Sequence, residues 1–234
     1  MNRITHKGAV TGLVFAGFIS MAQDSRLGSW NIINLKYNQG EKWSAFTELQ
    51  VRSLQFYDDF HYYEFTGGFN YQLNPFLRFT LAGGTYQTYA EGGTFIKPKN
   101  SDEVRLWPQV TLNQPIGRFK IEHRYRAEFR FTDRGNRNRF RYRLAGVYPF
   151  GKQVRGYRPF QLAVSSEIFL SNRAPYFERN RVIVALYSRL SKEIYLLVGY
   201  LYQYDYRLVD EIGRDFLTAG VFFELFGTQW GHQH

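Results

Sequence analysis

Polar and apolar residues alternate with a period of two through most of the chain, the signature of strands with two unlike faces. In Lys42–Leu54, Trp43, Ala45, Thr47, Leu49 and Val51 share one face, and Ser44, Glu48, Gln50 and Arg52 the other. In Tyr63–Leu73, Phe65, Phe69, Tyr71 and Leu73 oppose Glu64, Thr66, Asn70 and Gln72. In Val104–Leu112, Val104, Leu106, Val110 and Leu112 oppose Arg105, Gln109 and Thr111. The run Arg118–Phe131 is sorted completely. Phe119, Ile121, His123, Tyr125, Ala127, Phe129 and Phe131 fall on one side, and Arg118, Lys120, Glu122, Arg124, Arg126, Glu128 and Arg130 on the other. Next, Phe140, Tyr142 and Leu144 oppose Arg139, Arg141 and Arg143. A helix would scatter such charges round its circumference. Runs at Ser29–Asn38, Phe76–Tyr89, Phe160–Leu170, Val182–Leu190 and Leu217–Leu225 behave similarly, whereas Ile194–Tyr204 is apolar on both faces and carries no orientation.

Either face could be the inner one. A soluble sandwich turns its apolar face inward; a barrel in an outer membrane turns it to lipid and lines its lumen with the polar face. Three features favour the membrane barrel. The runs hold about 10 to 14 residues, the length of a tilted spanning strand rather than of a soluble one. Short turns near Gln39-Gly40, Asn74-Pro75, Pro115-Ile116-Gly117 and Ser191-Lys192, with a somewhat longer one near Gly151, alternate with longer polar loops. Those loops fall near Tyr57–Phe60, Glu91–Asp102, Thr132–Asn138, Asn172–Arg179 and Asp205–Arg214. Aromatic residues crowd the apolar face near strand ends, where interfacial girdles sit. The expected fold is an all-β, transmembrane, antiparallel up-and-down barrel. Eleven runs are counted, but single-chain bacterial barrels normally close with an even number. The expectation is therefore 10 to 12 strands.

The first 22 residues read differently. Arg3 and Lys7 make a basic segment, Ala9–Ile19 an apolar one, and Ser20-Met21-Ala22 a small-x-small cleavage site. This is the pattern of a secretory signal peptide, leaving residues 23–234 as one barrel domain. Its removal takes the net charge from +10 to +8, with 28 basic and 20 acidic residues left from 30 and 20. An exported, basic chain meets lipid rather than nucleic acid, so no nucleic-acid partner is expected.

Alternation also assigns the interior charge. Arg52, Arg78, Arg105, Arg118, Lys120, Arg124, Arg126, Arg130, Arg139, Arg141, Arg143, Arg181 and Arg189 point inward with Glu48, Glu64, Glu103, Glu122, Glu128, Glu167 and Glu224. Thirteen cations against seven acids would make a positive lumen. Cross-strand Arg–Glu pairs would fill and plug it; unpaired arginines in water would instead favour anions. The plugged form is expected, because thirteen long side chains occupy much of a narrow barrel. Glu48 and Glu167 are the expected acids reaching Arg124, Arg126, Arg130, Arg139, Arg141 and Arg143 from other strands.

Composition narrows the chemistry. Aromatics at 19% argue against disorder. The absence of cysteine excludes disulfides, cysteine-based metal sites and a lipid anchor on cysteine. A mean hydropathy of −0.41 argues against a bundle of membrane helices. His123 falls on the lipid side, His6 in the signal, and His232 and His234 in a short tail. His61, in Asp58-Asp59-Phe60-His61-Tyr62-Tyr63, is placed to sit at a rim, where outer-membrane lipid hydrolases use a Ser–His pair. No serine has such spacing to it. No catalytic residue, metal site or cofactor is expected.

Thr218, Gly220, Phe223 and Leu225, within Thr218–Leu225, fit the C-terminal assembly signal of outer-membrane proteins: polar, x, Gly, two of any kind, aromatic, x, hydrophobic. That resemblance implies the barrel-assembly machinery as a partner during insertion. The pattern is not terminal here, since eight residues follow Phe226. The stretches Glu122–Phe131 and Arg139–Leu144, with Glu48–Arg52 and Glu103–Gln109 before them, resemble the outer-membrane barrel family labelled domain of unknown function 2490, abundant in Bacteroidetes-type bacteria. The likeness runs from about Trp30 to Phe226. It implies a barrel in the outer membrane of a Gram-negative bacterium, in contact with lipid and lipopolysaccharide, and no activity. The leading expectation is thus a non-enzymatic barrel, plugged or a narrow anion-favouring pore. The alternatives are a rim-site lipid- or lipopolysaccharide-modifying enzyme, and a structural barrel presenting its loops to a partner.

Overall fold

The computed structural model describes residues 27–133, 135–154, 156–206 and 211–227. The expected signal peptide, residues 1–22, lies outside them, as do His232 and His234. The described chain is eleven strands: β1 Leu27–Gln39, β2 Trp43–Gln55, β3 Asp58–Asn74, β4 Leu77–Ala90, β5 Ile96–Ile116, β6 Phe119–Thr132, β7 Arg137–Phe150, β8 Phe160–Ser171, β9 Phe177–Arg189, β10 Ile194–Tyr206 and β11 Glu211–Phe226. They close into one barrel, each strand pairing with its sequence neighbours and β1 with β11.

The strand count settles the difficulty over parity. Ten of the pairings are antiparallel, and β1 runs parallel to β11 in the register Leu27↔Asp215 to Asn38↔Phe226. Eleven strands that each reverse direction bring the last one round in the same sense as the first. One parallel seam is then unavoidable. It is tied at the far end by Asn38 Nδ2, which donates to Leu225 O at 3.2 Å, and by Lys36 Nζ against Glu224 at 3.1 Å.

Alternation decides which side chains go out. Trp43, Phe65, Phe69, Leu81, Val104, Phe129, Phe140 and Leu144 are all exposed on the outer face, up to 66% for Phe69. The opposite set turns inward, and Glu128 is only 1% exposed. Such a wide apolar exterior is unusual for a chain surrounded by water. His123 stays on the outer side, its Nδ1 2.9 Å from the Tyr142 hydroxyl.

The connections depart from the expected pattern of short and long. Those expected to be long have shrunk, with 56–57, 91–95, 133–136 and 172–176 holding two to five residues. Strand pairing continues into them: β4 and β5 stay paired through Tyr89↔Lys99 and Ala90↔Ile96 by means of bulges. The longest connection, 151–159, is at the other rim, where β1 and β11 end. It turns back on itself through a Val154↔Tyr157 bridge and lays Tyr157 against Arg189, 4.1 Å from guanidinium carbon to ring centroid. Tyr195 lies on Arg189 too, at 4.9 Å.

Glycine matters most between β3 and β4. A Cβ on Gly84 would stand 2.2 Å from Phe65 O, and one on Gly68 would stand 2.2 Å from Ala82 Cβ. Two backbones meet there without room for a side chain.

Candidate functional site

The barrel encloses a cavity of about 1020 Å³ with two unlike walls. The wall from β5 to β8 is charged. The wall formed by β9, β10, β11 and β1 carries Ile183, Ala185, Leu197, Leu201, Phe222 and Ile32. Ile194–Tyr204, which the sequence left unoriented, lies in β10, and that strand turns Leu197, Gly199, Leu201, Gln203 and Asp205 inward and Tyr200 and Tyr202 outward.

The charged wall is built of ion pairs. Glu128 lies opposite Arg139 on the neighbouring strand. Its Oε2 accepts from Arg139 Nε and Nη2 at 2.8 and 2.5 Å, and its Oε1 from Arg141 Nη1 at 2.6 Å. Glu167 on β8 takes Arg141 Nε and Nη2 at 3.0 Å each and Arg124 Nη2 at 2.6 Å. Glu103 on β5 is gripped by Arg105 Nε at 2.8 Å and by Arg130 Nε and Nη2 at 2.9 and 2.6 Å. Glu122 accepts from Arg143. Glu128, Glu167 and Glu103 each serve two arginines, the arrangement that compensates a buried carboxylate. Six arginines along one hairpin are tolerable because Glu167 and Glu178 enter from strands beyond it.

Aromatic rings cover the guanidinium faces. Arg126 lies 3.7 Å from the Trp107 ring centroid, Arg105 3.7 Å from Tyr86, and Arg52 3.4 Å from Trp30 and 4.0 Å from Tyr62. Stacking of this kind stabilises a desolvated cation without supplying a counter-charge.

Eleven of the twelve residues named from the sequence as a lumen network line this cavity: Glu48, Arg52, Arg105, Glu122, Arg124, Arg126, Arg130, Arg139, Arg141, Arg143 and Glu167. The twelfth, Glu128, is covered by the arginines it binds and is 1% exposed. Two of the twelve behave differently from the rest. Glu48 accepts from Gln50 Nε2 at 2.6 Å and Asn34 Nδ2 at 2.9 Å and does not reach the β6–β7 arginines. That corrects its expected role, because β2 lies too far round the barrel. Arg126 is held mainly by Gln109 Oε1, at 2.9 and 2.7 Å. Arg78, Arg118, Arg189 and Glu224, also assigned inward, do not line the cavity; they sit near the rim where β11 ends.

Several residues escaped the reading by alternation. Glu178 bonds to Arg139 at 3.4 Å and to Arg137 at 3.1 Å. A bulge puts Leu170 opposite Phe177 and Phe169 opposite Arg179, so Glu178 and Arg179 both turn inward. A second irregularity, between Arg52 and Ser53 on β2, turns His61 in beside Tyr62. His61 Nδ1 is buried without a partner, and none of the described serines bonds to it. Asp205 pairs with Arg179 and, at 3.5 Å, with Arg214. In all, thirteen cations and eight acids line the cavity, an excess of five positive charges, which Glu128 behind them lowers to four. No cluster of three or more His, Asp or Glu among the described residues is arranged to hold a metal ion.

The assembly-signal residues divide by face. Thr218 and Gly220 face in, and Thr218 Oγ1 is buried without a partner; Phe223 and Leu225 are exposed outside.

No curated protein and no solved structure matches this chain. A family model described as "Protein of unknown function" does, over residues 27–211, from the start of β1 through β10. With the closed barrel and its arginine–glutamate wall in view, the chain is placed by that match: it belongs to the DUF2490 family.

Proposed function

We propose that the chain is an outer-membrane barrel of a Gram-negative cell, without catalytic activity, whose interior is closed to ions by its own side chains. The observation that carries the reading is the division of faces: large apolar residues all round the outside of a closed barrel, ion pairs inside. Lipid and lipopolysaccharide are then its partners, and Thr218–Leu225 is the segment offered to the assembly machinery. The first 22 residues direct export.

Two features support closure. The Glu128, Glu167 and Glu103 pairs hold the arginines of β5, β6 and β7 to one another along one wall of the lumen instead of leaving them hydrated. At the rim where β11 ends, Tyr157, Arg189 and Tyr195 stack on one another, and none of the three lines the cavity. The barrel is therefore read as a pocket entered from the rim where β1 begins. A rim hydrolase would need a nucleophile hydrogen-bonded to His61, and no described serine bonds to its Nδ1.

The test is fractionation followed by planar-bilayer recording. Recovery in the outer membrane, heat-modifiable migration on gels and near-zero conductance are the expected results. Recovery as a soluble periplasmic protein overturns the membrane reading, and steady channel conductance overturns closure.

A further inference from the structure

One corner of the interior holds donors that the protein does not use. Arg181 on β9 is buried at 7% exposure, donates through Nε to Gln203 Oε1 at 2.9 Å, and forms no ion pair with any described residue. Its ladder partner, Glu167, is taken by Arg124 and Arg141. The Arg181 guanidinium stands 4.8 Å from the centroid of Trp30 and 4.7 Å from that of Phe169. Arg52 lies on the same Trp30; its Nη2 donates to Glu64 at 2.9 Å, while its Nε is buried without a partner. Trp30 is opposite Arg52 on β2 and opposite Thr218 on β11, whose Oγ1 is likewise unpartnered. Two guanidiniums and a hydroxyl thus converge on one tryptophan.

An unpaired buried guanidinium costs several kcal/mol, so a fold that keeps one there has a use for it. Below this corner, toward the closed rim, the wall changes character: Leu201, Ile183, Ile32 and Leu197 are apolar and line the same cavity. Its 1020 Å³ is at the upper end of the size of a small-molecule site, roughly 300–1,000 Å³. A few donors at one end of an apolar slot suit a ligand with a charged head and an apolar body.

We propose that the interior binds a single-chain amphiphile carrying one oxyanion, a carboxylate or a phosphate monoester. Its head rests on Arg181, Arg52 and Thr218, and its chain runs along the β9–β10–β1 wall toward Tyr157. The inference goes beyond a closed barrel and does not depend on conductance or cellular location.

The experiment uses the full-length folded barrel in phosphatidylcholine nanodiscs and follows tryptophan fluorescence. The probes are octanoate, octyl phosphate, octanol and inorganic phosphate, with butanoate and hexanoate for chain length. Octanoate or octyl phosphate is expected to give a saturable change at one per barrel. Whichever of the two binds more tightly names the head group. Octanol and inorganic phosphate should bind at least tenfold more weakly, and affinity should rise roughly fourfold per methylene from butanoate to octanoate. Arg181→Gln should weaken binding about tenfold while Arg118→Gln, outside the cavity, leaves it unchanged. If Arg181→Gln loses heat-modifiable migration, Arg181→Lys, which keeps the charge and loses the planar fork, must weaken octyl phosphate in its place. The proposal is overturned by the absence of saturable binding, by inorganic phosphate binding as tightly as octyl phosphate, or by folded Arg181 variants that bind like the parent.

Discussion

Glu128 and Arg139 face each other across the β6–β7 ladder, and both Nε and Nη2 of the arginine converge on one carboxylate oxygen, Oε2. The other oxygen is held by Arg141. One acid therefore anchors two arginines of a strand that carries four, at Arg137, Arg139, Arg141 and Arg143.

Removing that anchor should be costly. Glu128→Ala leaves Arg139 and Arg141 short of counter-charge in a buried setting, and breaking a buried pair costs about 3–5 kcal/mol. The urea midpoint of the barrel refolded in lipid should fall clearly. Asp102→Asn, which removes the exposed partner of Lys99, should leave the midpoint where it was. Equal effects would mean that the interior pairs contribute no more than surface ones.

If the outward face meets lipid as proposed, its middle should not accept a charge. Leu144 is exposed on the outer side of β7, and Leu144→Arg at mid-membrane should cost about 2–4 kcal/mol. The measurement is the yield of heat-modifiable barrel after refolding into vesicles. A variant that inserts as well as the parent would show that the exterior does not face lipid.

Opening the closed rim should create a channel. Arg189→Ala removes the cation between Tyr157 and Tyr195, so bilayer conductance should rise from near zero. The excess of five positive charges on the cavity wall makes the opened variant favour anions, less so at high salt as screening shortens the reach of each charge. A cation-selective reversal potential would contradict the charge assignment.

Close backbone approach sets a fourth expectation. Gly84→Ala puts a methyl group 2.2 Å from Phe65 O, where overpacking costs about 1–3 kcal/mol. Gly67→Ala meets Phe46 O only at 3.3 Å. Chemical denaturation should rank Gly84→Ala well below Gly67→Ala.

Where charge and apolarity alternated, as from Phe119 to Phe131, the strand, its faces and its neighbours could be read directly from the residues. Legibility failed where that contrast disappears. Ile194–Tyr204 has apolar residues on both sides because its inner face belongs to the apolar wall, so no pattern told Leu197 from Leu196. It failed again at bulges, where one added residue swaps the faces beyond it: Glu178 and His61 turn inward for that reason. Which acid serves which arginine was legible only in part. Glu167 reaches the hairpin from the next strand, whereas Glu48 is kept from it by the curvature of the barrel, a property of closure rather than of any local segment. The uncommitted Arg181 could be counted as inward, but its lack of a partner appears only once Glu167 is seen to be taken.

The parallel seam bears on how such a barrel could be put together. In a barrel of hairpins alone, every crossing of the bilayer is made by two strands that shield each other's backbone groups, and both chain ends remain on the side of entry. With eleven strands, a barrel that spans a bilayer as proposed has one crossing left over. Leu27 begins at one mouth and Phe226 ends at the other, so β1 or β11 has to be carried over without a hairpin partner of its own. Until Trp30 meets Thr218, its open edge must be sheltered by something other than this chain.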